Sequence, residues 1–263
     1  MRASLTPALR TACAALFSCL ACAAPAAADA PAVSGINTKL SAFGGAVGNA
    51  ALDENLAGVA SSLTLPVFRH FGLQLDSAYA RVGDADFGSF GAHFFWRNPS
   101  VGLVGFYAGH AWIDHTSKFE ISRAGLEVQR YADRLTLDGA IGRRSGDAGD
   151  DIYGRARLDY YVTDNFMLSG GFLYEFRGFA SLGAEYQIAA RQGRGISLFA
   201  EGLIGEDNAY SVLTGVRLYL GEDMSLIDRH RRQDPPGYAG QDLQFLQFGL
   251  QPKFVCGGMG WGC

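Results

Sequence analysis

Residues 151–176, DIYGRARLDYYVTDNFMLSGGFLYEF, alternate with a period of two. Ile152, Gly154, Ala156, Leu158, Tyr160 and Val162 form one set, all apolar, aromatic or small. Tyr153, Arg155, Arg157, Asp159 and Tyr161 form the other, polar or charged apart from the tyrosine rings. Successive side chains on a strand point to opposite faces, so the pattern predicts a strand with one apolar and one polar face. Thr163, Asp164 and Asn165 make a turn. Then Phe166, Leu168, Gly170, Phe172, Tyr174 and Phe176 alternate with Met167, Ser169, Gly171, Leu173 and Glu175. Each half is about 11 residues, the length a tilted strand needs to cross a bilayer. This hairpin reads as one unit of a membrane-spanning barrel.

The rest of the mature chain repeats it. Strands are expected at about 36–48, 56–67, 72–82, 88–97, 101–113, 118–130, 134–144, 152–162, 166–176, 179–190, 195–205 and 209–220. That is about twelve, and an even number puts both chain ends on one side of a single-chain barrel. The expected fold is therefore all-β, a closed antiparallel up-and-down transmembrane barrel. The polar rows place Asp138, Glu175, Glu185, Gln187, Glu201 and Arg217 with Arg155, Arg157 and Asp159 in the lumen. The strand at 118–130 slips phase near Ser122 and Arg123, which suggests a bulge. The strands between 88 and 113 are apolar on both faces and cannot be phased. Phe68, Phe71, Trp96, Trp112, Tyr131, Tyr160, Phe166, Phe176 and Phe179 gather near strand ends, as aromatic girdles would.

Alternate connections differ in charge. One set is short and mostly basic, as at Arg69-His70, Arg97-Asn98, and Arg191 to Arg194. The other is acidic except at Arg177, as at Asp53-Glu54, Asp84 to Asp86, and Asp147 to Asp151. Such segregation follows if every strand crosses one layer, with the short end periplasmic and the acidic end outward. A soluble β-sandwich would alternate too. Glycine on both faces, 35 in the chain, suits a curved closed sheet better. A formal charge of -4 gives no reason to expect a nucleic-acid partner.

The chain is expected to divide into a signal peptide (1–28), a barrel (29–221) and a periplasmic C-terminal tail (222–263). Arg2 and Arg10 form the basic region of the leader, Thr11 to Ala24 the apolar region, and Ala26 to Ala28 the cleavage site. Cleavage before Asp29 removes both arginines and takes the formal charge from -4 to -6. A lipoprotein acylated at Cys19 or Cys22 is the weaker reading of the leader, because Leu is missing three places before Cys22. In the tail, Arg229, His230, Arg231 and Arg232 read either as a contact for phospholipid headgroups or as a solvated linker. Leu243, Phe245, Leu246, Phe248 and Leu250 suit a short strand or a plug. Cys256 and Cys263 either close a small disulfide loop or remain free thiols.

The stretches NTKL at 37–40, FRHFGLQLD at 68–76, AHFFWRNPS at 92–100, YYVTDNFMLSGG at 160–171, ISLFAEGLIGED at 196–207 and SLIDRHRRQDPP at 225–236 carry a resemblance. With them the chain resembles a family of alphaproteobacterial outer-membrane barrels of largely undescribed function. The resemblance covers nearly all of residues 35–236, implies a porin-like barrel, and brings no catalytic residue. The tail beyond Gly237 lies outside it.

Charges inside a barrel must be hydrated or paired, since a desolvated lone charge costs several kcal/mol. The expected function is a narrow channel for small polar or charged solutes. One alternative is an anchoring barrel with a closed lumen, held by its acidic loops to outer-membrane lipid and lipopolysaccharide. A lesser one is a lipid hydrolase using His115 and Ser117, with Asp114 beside them. No metal or cofactor is expected, because the histidines are scattered and no calcium-loop or phosphate-loop spacing occurs.

Overall fold

The computed structural model describes residues 30–49, 53–175, 177–235, 237 and 243. Among them, twelve strands form one closed antiparallel barrel, each strand paired to its sequence neighbours. They are β1 (Asn37–Gly48), β2 (Asp53–Phe68), β3 (Phe71–Val82), β4 (Ala85–Asn98), β5 (Gly102–Asp114) and β6 (Lys118–Ala132). There follow β7 (Leu135–Gly146), β8 (Asp151–Thr163), β9 (Phe166–Tyr174), β10 (Gly178–Arg191), β11 (Arg194–Gly205) and β12 (Tyr210–Leu220). The seam closes where β1 meets β12, from Thr38 opposite Leu220 to Gly48 opposite Tyr210.

Exposure decides between barrel and sandwich. On β8, Leu158, Tyr160 and Val162 are 42%, 47% and 42% exposed, while Asp159 and Tyr161 are 2% and 0% exposed. The same inversion runs around the ring through Leu63, Phe94, Phe106, Leu137, Leu198 and Val216. Apolar side chains face out and charged ones face in. Within the described residues no second sheet covers the outer face, since the one sheet closes on itself. Only lipid makes that surface favourable, because the backbone groups are paired between strands and the side chains are greasy.

The expected bulge at Ser122 and Arg123 is absent. β6 stays in register with β5 and β7 through both residues. The apparent slip arises because inward Phe119 and Ile121 are apolar. They belong to a greasy cluster with Val47, Leu56, Val82, Phe87, Ile113 and Leu213 at the acidic end of the lumen. Register does shift at Pro66/Phe68, Tyr161/Thr163 and Gln187/Ala189. All three lie at the basic rim, where bulges help a barrel turn its edge. Two girdle assignments also change. Tyr131 and Phe179 are buried and point into the lumen. On the outer face of the basic rim, Phe71 stacks on Phe94 at 5.6 Å and meets Phe68 edge-on at 6.4 Å. Phe176 lies outside the described residues.

The seam depends on closely packed glycines: a Cβ on Gly45 would lie 1.9 Å from the Val212 carbonyl oxygen. A Cβ on Gly215 would lie 2.2 Å from the Ala42 carbonyl oxygen across the β1–β12 pair. Backbone cannot move aside there without opening the ladder. Gly215→Ala should cost about 1–3 kcal/mol, the usual cost of overpacking. Urea unfolding of the refolded protein in lipid vesicles would show it as a lowered midpoint, and an unchanged midpoint would contradict this account of the seam.

Candidate functional site: the charged lumen

The inward rows of β6 to β12 bring charges together across the barrel, which no single hairpin could do. Arg123 on β6 reaches Glu175, just past β9, with Nε and Nη2 donating to the two carboxylate oxygens at 2.6 and 2.9 Å. Arg144 Nε lies 3.8 Å from the same carboxylate. Arg155 pairs with Asp138 at 2.8 Å, and Gln129 Nε2 donates to the other Asp138 oxygen at 3.1 Å. Arg157 pairs with Asp159 at 2.9 Å. Arg217 is held between Glu185 and Glu201, the latter at 2.5 Å, and lies 3.9 Å above the Phe199 ring. Tyr219 donates its hydroxyl to Glu185 at 2.6 Å.

Asp138, Arg155, Arg157, Asp159, Glu185, Glu201 and Arg217 all lie on the rows opposite the exposed ones, and Glu175 lies beside them in a loop. Six of these eight line a cavity of 170 Å³: Arg155, Arg157, Asp159, Glu185, Glu201 and Arg217. Asp138 acts on it through Arg155. Glu175 belongs to a separate cluster nearer the acidic end.

Several lumen groups escaped the sequence reading. His93 on β4 sits between Asp76 at 3.0 Å and Glu127 at 2.9 Å, with both ring nitrogens facing carboxylate oxygens. An imidazolium satisfies that geometry with two donated bonds. His93, Glu127, Arg97 and Arg123 lie in or beside the strands that could not be phased. The signal was obscured because the lumen is greasy at the acidic end, through Phe87 and Ile113, and again at the basic mouth, through Phe95 and Leu103.

The tail does not hang free below the barrel, at least as far as it is described. SLIDRHRR forms a helix, α1 (Leu226–Arg232), with Ser225 as its N-cap accepting from the Asp228 amide. Gln233 closes its C-terminal end by donating to the Arg229 carbonyl, and Pro235 follows. Leu226 and Arg229 are fully buried in the barrel mouth. Arg229 Nε donates to Gln187 at 2.8 Å. Arg231 donates to the Leu135 carbonyl at 2.8 Å. His230 shares a hydrogen bond with the Tyr161 hydroxyl at 2.9 Å. Burial lowers its pKa, against the pull of the Glu185 carboxylate. The headgroup reading of this run is therefore corrected: of its four basic residues, only Arg232 is left half-exposed, and it pairs with Asp228 at 3.2 Å. Phe245, Leu246, Phe248, Leu250, Cys256 and Cys263 lie outside the described residues, as does the leader.

The hydrolase arrangement is not assembled. His115 and Ser117 are exposed, and the contact between them is a backbone one, the His115 amide donating to the Ser117 carbonyl at 3.4 Å. His110 instead meets Ser122 at 2.9 Å on the lipid-facing wall.

An outward apolar belt, a charged lumen and a closed ring of twelve strands define the class: a transmembrane β-barrel of the outer-membrane type. One solved structure agrees at the level of fold, and two further outer-membrane barrels superpose less well. A KdgM porin superposes with a TM-score of 0.50 at 10% identity, over 68% of this chain and 97% of that one. An outer-membrane channel from Pseudomonas putida F1 gives 0.49 at 10% identity, over 75% and 99%. The outer membrane phospholipase of Salmonella typhi gives 0.46 at 11% identity, over 76% and 96%. No protein-family model matches the chain, and no curated protein matches it.

Proposed function

We propose that the protein is a narrow outer-membrane channel for small polar or charged solutes, with its basic rim toward the periplasm. The observation that carries this is the 170 Å³ cavity inside the charged layer, lined by Lys39, Arg157 and Arg217 on one hand and Asp159, Glu185 and Glu201 on the other. Facing charges of both signs set a transverse field that a small hydrated or zwitterionic solute can cross and an apolar one cannot. The stretches that resemble alphaproteobacterial barrels suit the narrower family placement, and the acidic outer loops suit contact with lipopolysaccharide through divalent cations.

Arg217→Gln tests the role of the field. It leaves Glu185 and Glu201 facing the cavity without their shared cation. The reversal potential in a salt gradient should move toward cations, and an unchanged potential would remove Arg217 from the path. Planar bilayers containing the folded chain should show small conductance steps. Silence from the whole chain and from variants with a loosened tail would overturn the channel reading. That outcome would favour an anchoring barrel, a reading supported by the pairing of so many lumen charges.

A further inference from the structure

We propose that the tail residues from Leu226 to Pro235, with Gly237 and Leu243, plug the barrel and gate the channel; this rests on the channel reading above. The described tail residues take successive levels of the lumen. At the basic mouth the Ile227 amide donates to the Asp164 carbonyl at 3.0 Å, and the Ser34 amide donates to the Arg232 carbonyl at 2.9 Å, tying both chain ends together. One step deeper, Asp234 is 2% exposed and pairs with Lys39. Gln74 donates to the Pro235 carbonyl at 3.2 Å. Deeper again, Gly237 lies so close to Asp76 that a Cβ there would be 2.8 Å from its carboxylate. Leu243, 1% exposed, packs at the far end with Val47, Leu56, Val82 and Phe87.

The plug is built to be held and to be released. His230, Asp234 and Gly237 are themselves walls of the 170 Å³ cavity, so the tail stands in the path of any solute. Between its apolar ends, Leu226 at the mouth and Leu243 at the far end, the seat is polar: an ion pair, carbonyls and amides. Such contacts can be replaced by water when the tail leaves, whereas an apolar seat could not. A buried carboxylate without its cation is expensive, so Asp234 favours the seated state only while Lys39 faces it.

The test uses the whole chain, with heat-resistant gel migration as the check on folding. The unaltered protein should sit mostly shut in planar bilayers. Asp234→Lys places two ammonium groups together and should raise the open fraction by about tenfold or more, a shift in the closed–open population. Adding Lys39→Asp to Asp234→Lys restores the pair with reversed sign and should close the channel again. If Asp234→Lys does not fold, Leu243→Arg carries the same comparison from the other end of the seat. A folded Asp234→Lys that opens no more often than the unaltered chain, in membranes where steps are seen, overturns the gate and leaves the channel. Silence from every variant overturns the channel and the gate together.

Discussion

Glu175→Ala should destabilise the barrel by about 3–5 kcal/mol, the loss seen when one member of a buried ion pair is removed. Glu175 is fully buried and accepts two hydrogen bonds from Arg123, with Arg144 beside it. Removing the carboxylate leaves two guanidinium groups facing one another behind the greasy cluster of the acidic end. Arg144 retains its bond to the Gly149 carbonyl at 2.8 Å, but Arg123 loses its fork partner. Urea unfolding in lipid vesicles should show the midpoint falling without a change in slope. A variant within about 1 kcal/mol of the parent would mean that water replaces the carboxylate, and that the cluster is wetter than its burial implies.

The second large effect belongs to the outer wall. Leu158 lies near the middle of β8, 42% exposed on the lipid-facing row. Leu158→Arg should cost about 2–4 kcal/mol in a bilayer, the depth-dependent cost of a cation at the midplane. In a water-soluble sheet the same change at an exposed position would be close to neutral. The comparison therefore asks which solvent touches that face. Refolding yield and unfolding midpoint in vesicles read it out, and a neutral result would place water there.

Fold and ring size were legible because alternation at membrane-crossing length is a long-range pattern with few other solutions. The β8–β9 hairpin alone shows it. Most of the charged cavity was legible for the same reason, since Arg155, Arg157, Asp159 and Arg217 interrupt otherwise apolar segments. The rest was hidden by chemistry that the two-face rule does not contain. Inward Phe119 and Ile121 imitate an outward row, so Arg123 looked out of phase. Inward Phe87, Phe95 and Ile113 did the same for β4 and β5, and masked His93. Cross-lumen partners such as Arg123 and Glu175 are 52 positions apart, and nothing local links them. The tail was misread for another reason. A basic run before two prolines looks like a linker, yet Ser225 and Asp228 cap a short helix and the barrel mouth supplies acceptors for its arginines.

Nitroxide labels placed singly at positions 152 to 162, in a background with the native cysteines replaced, test the central claim most directly. In lipid vesicles, labels at the even positions should respond to oxygen dissolved in the bilayer and ignore a water-soluble nickel complex. Labels at the odd positions should lose that response. An even row that collides with the nickel complex, or two rows that behave alike, would contradict a barrel whose greasy wall is solvated by lipid.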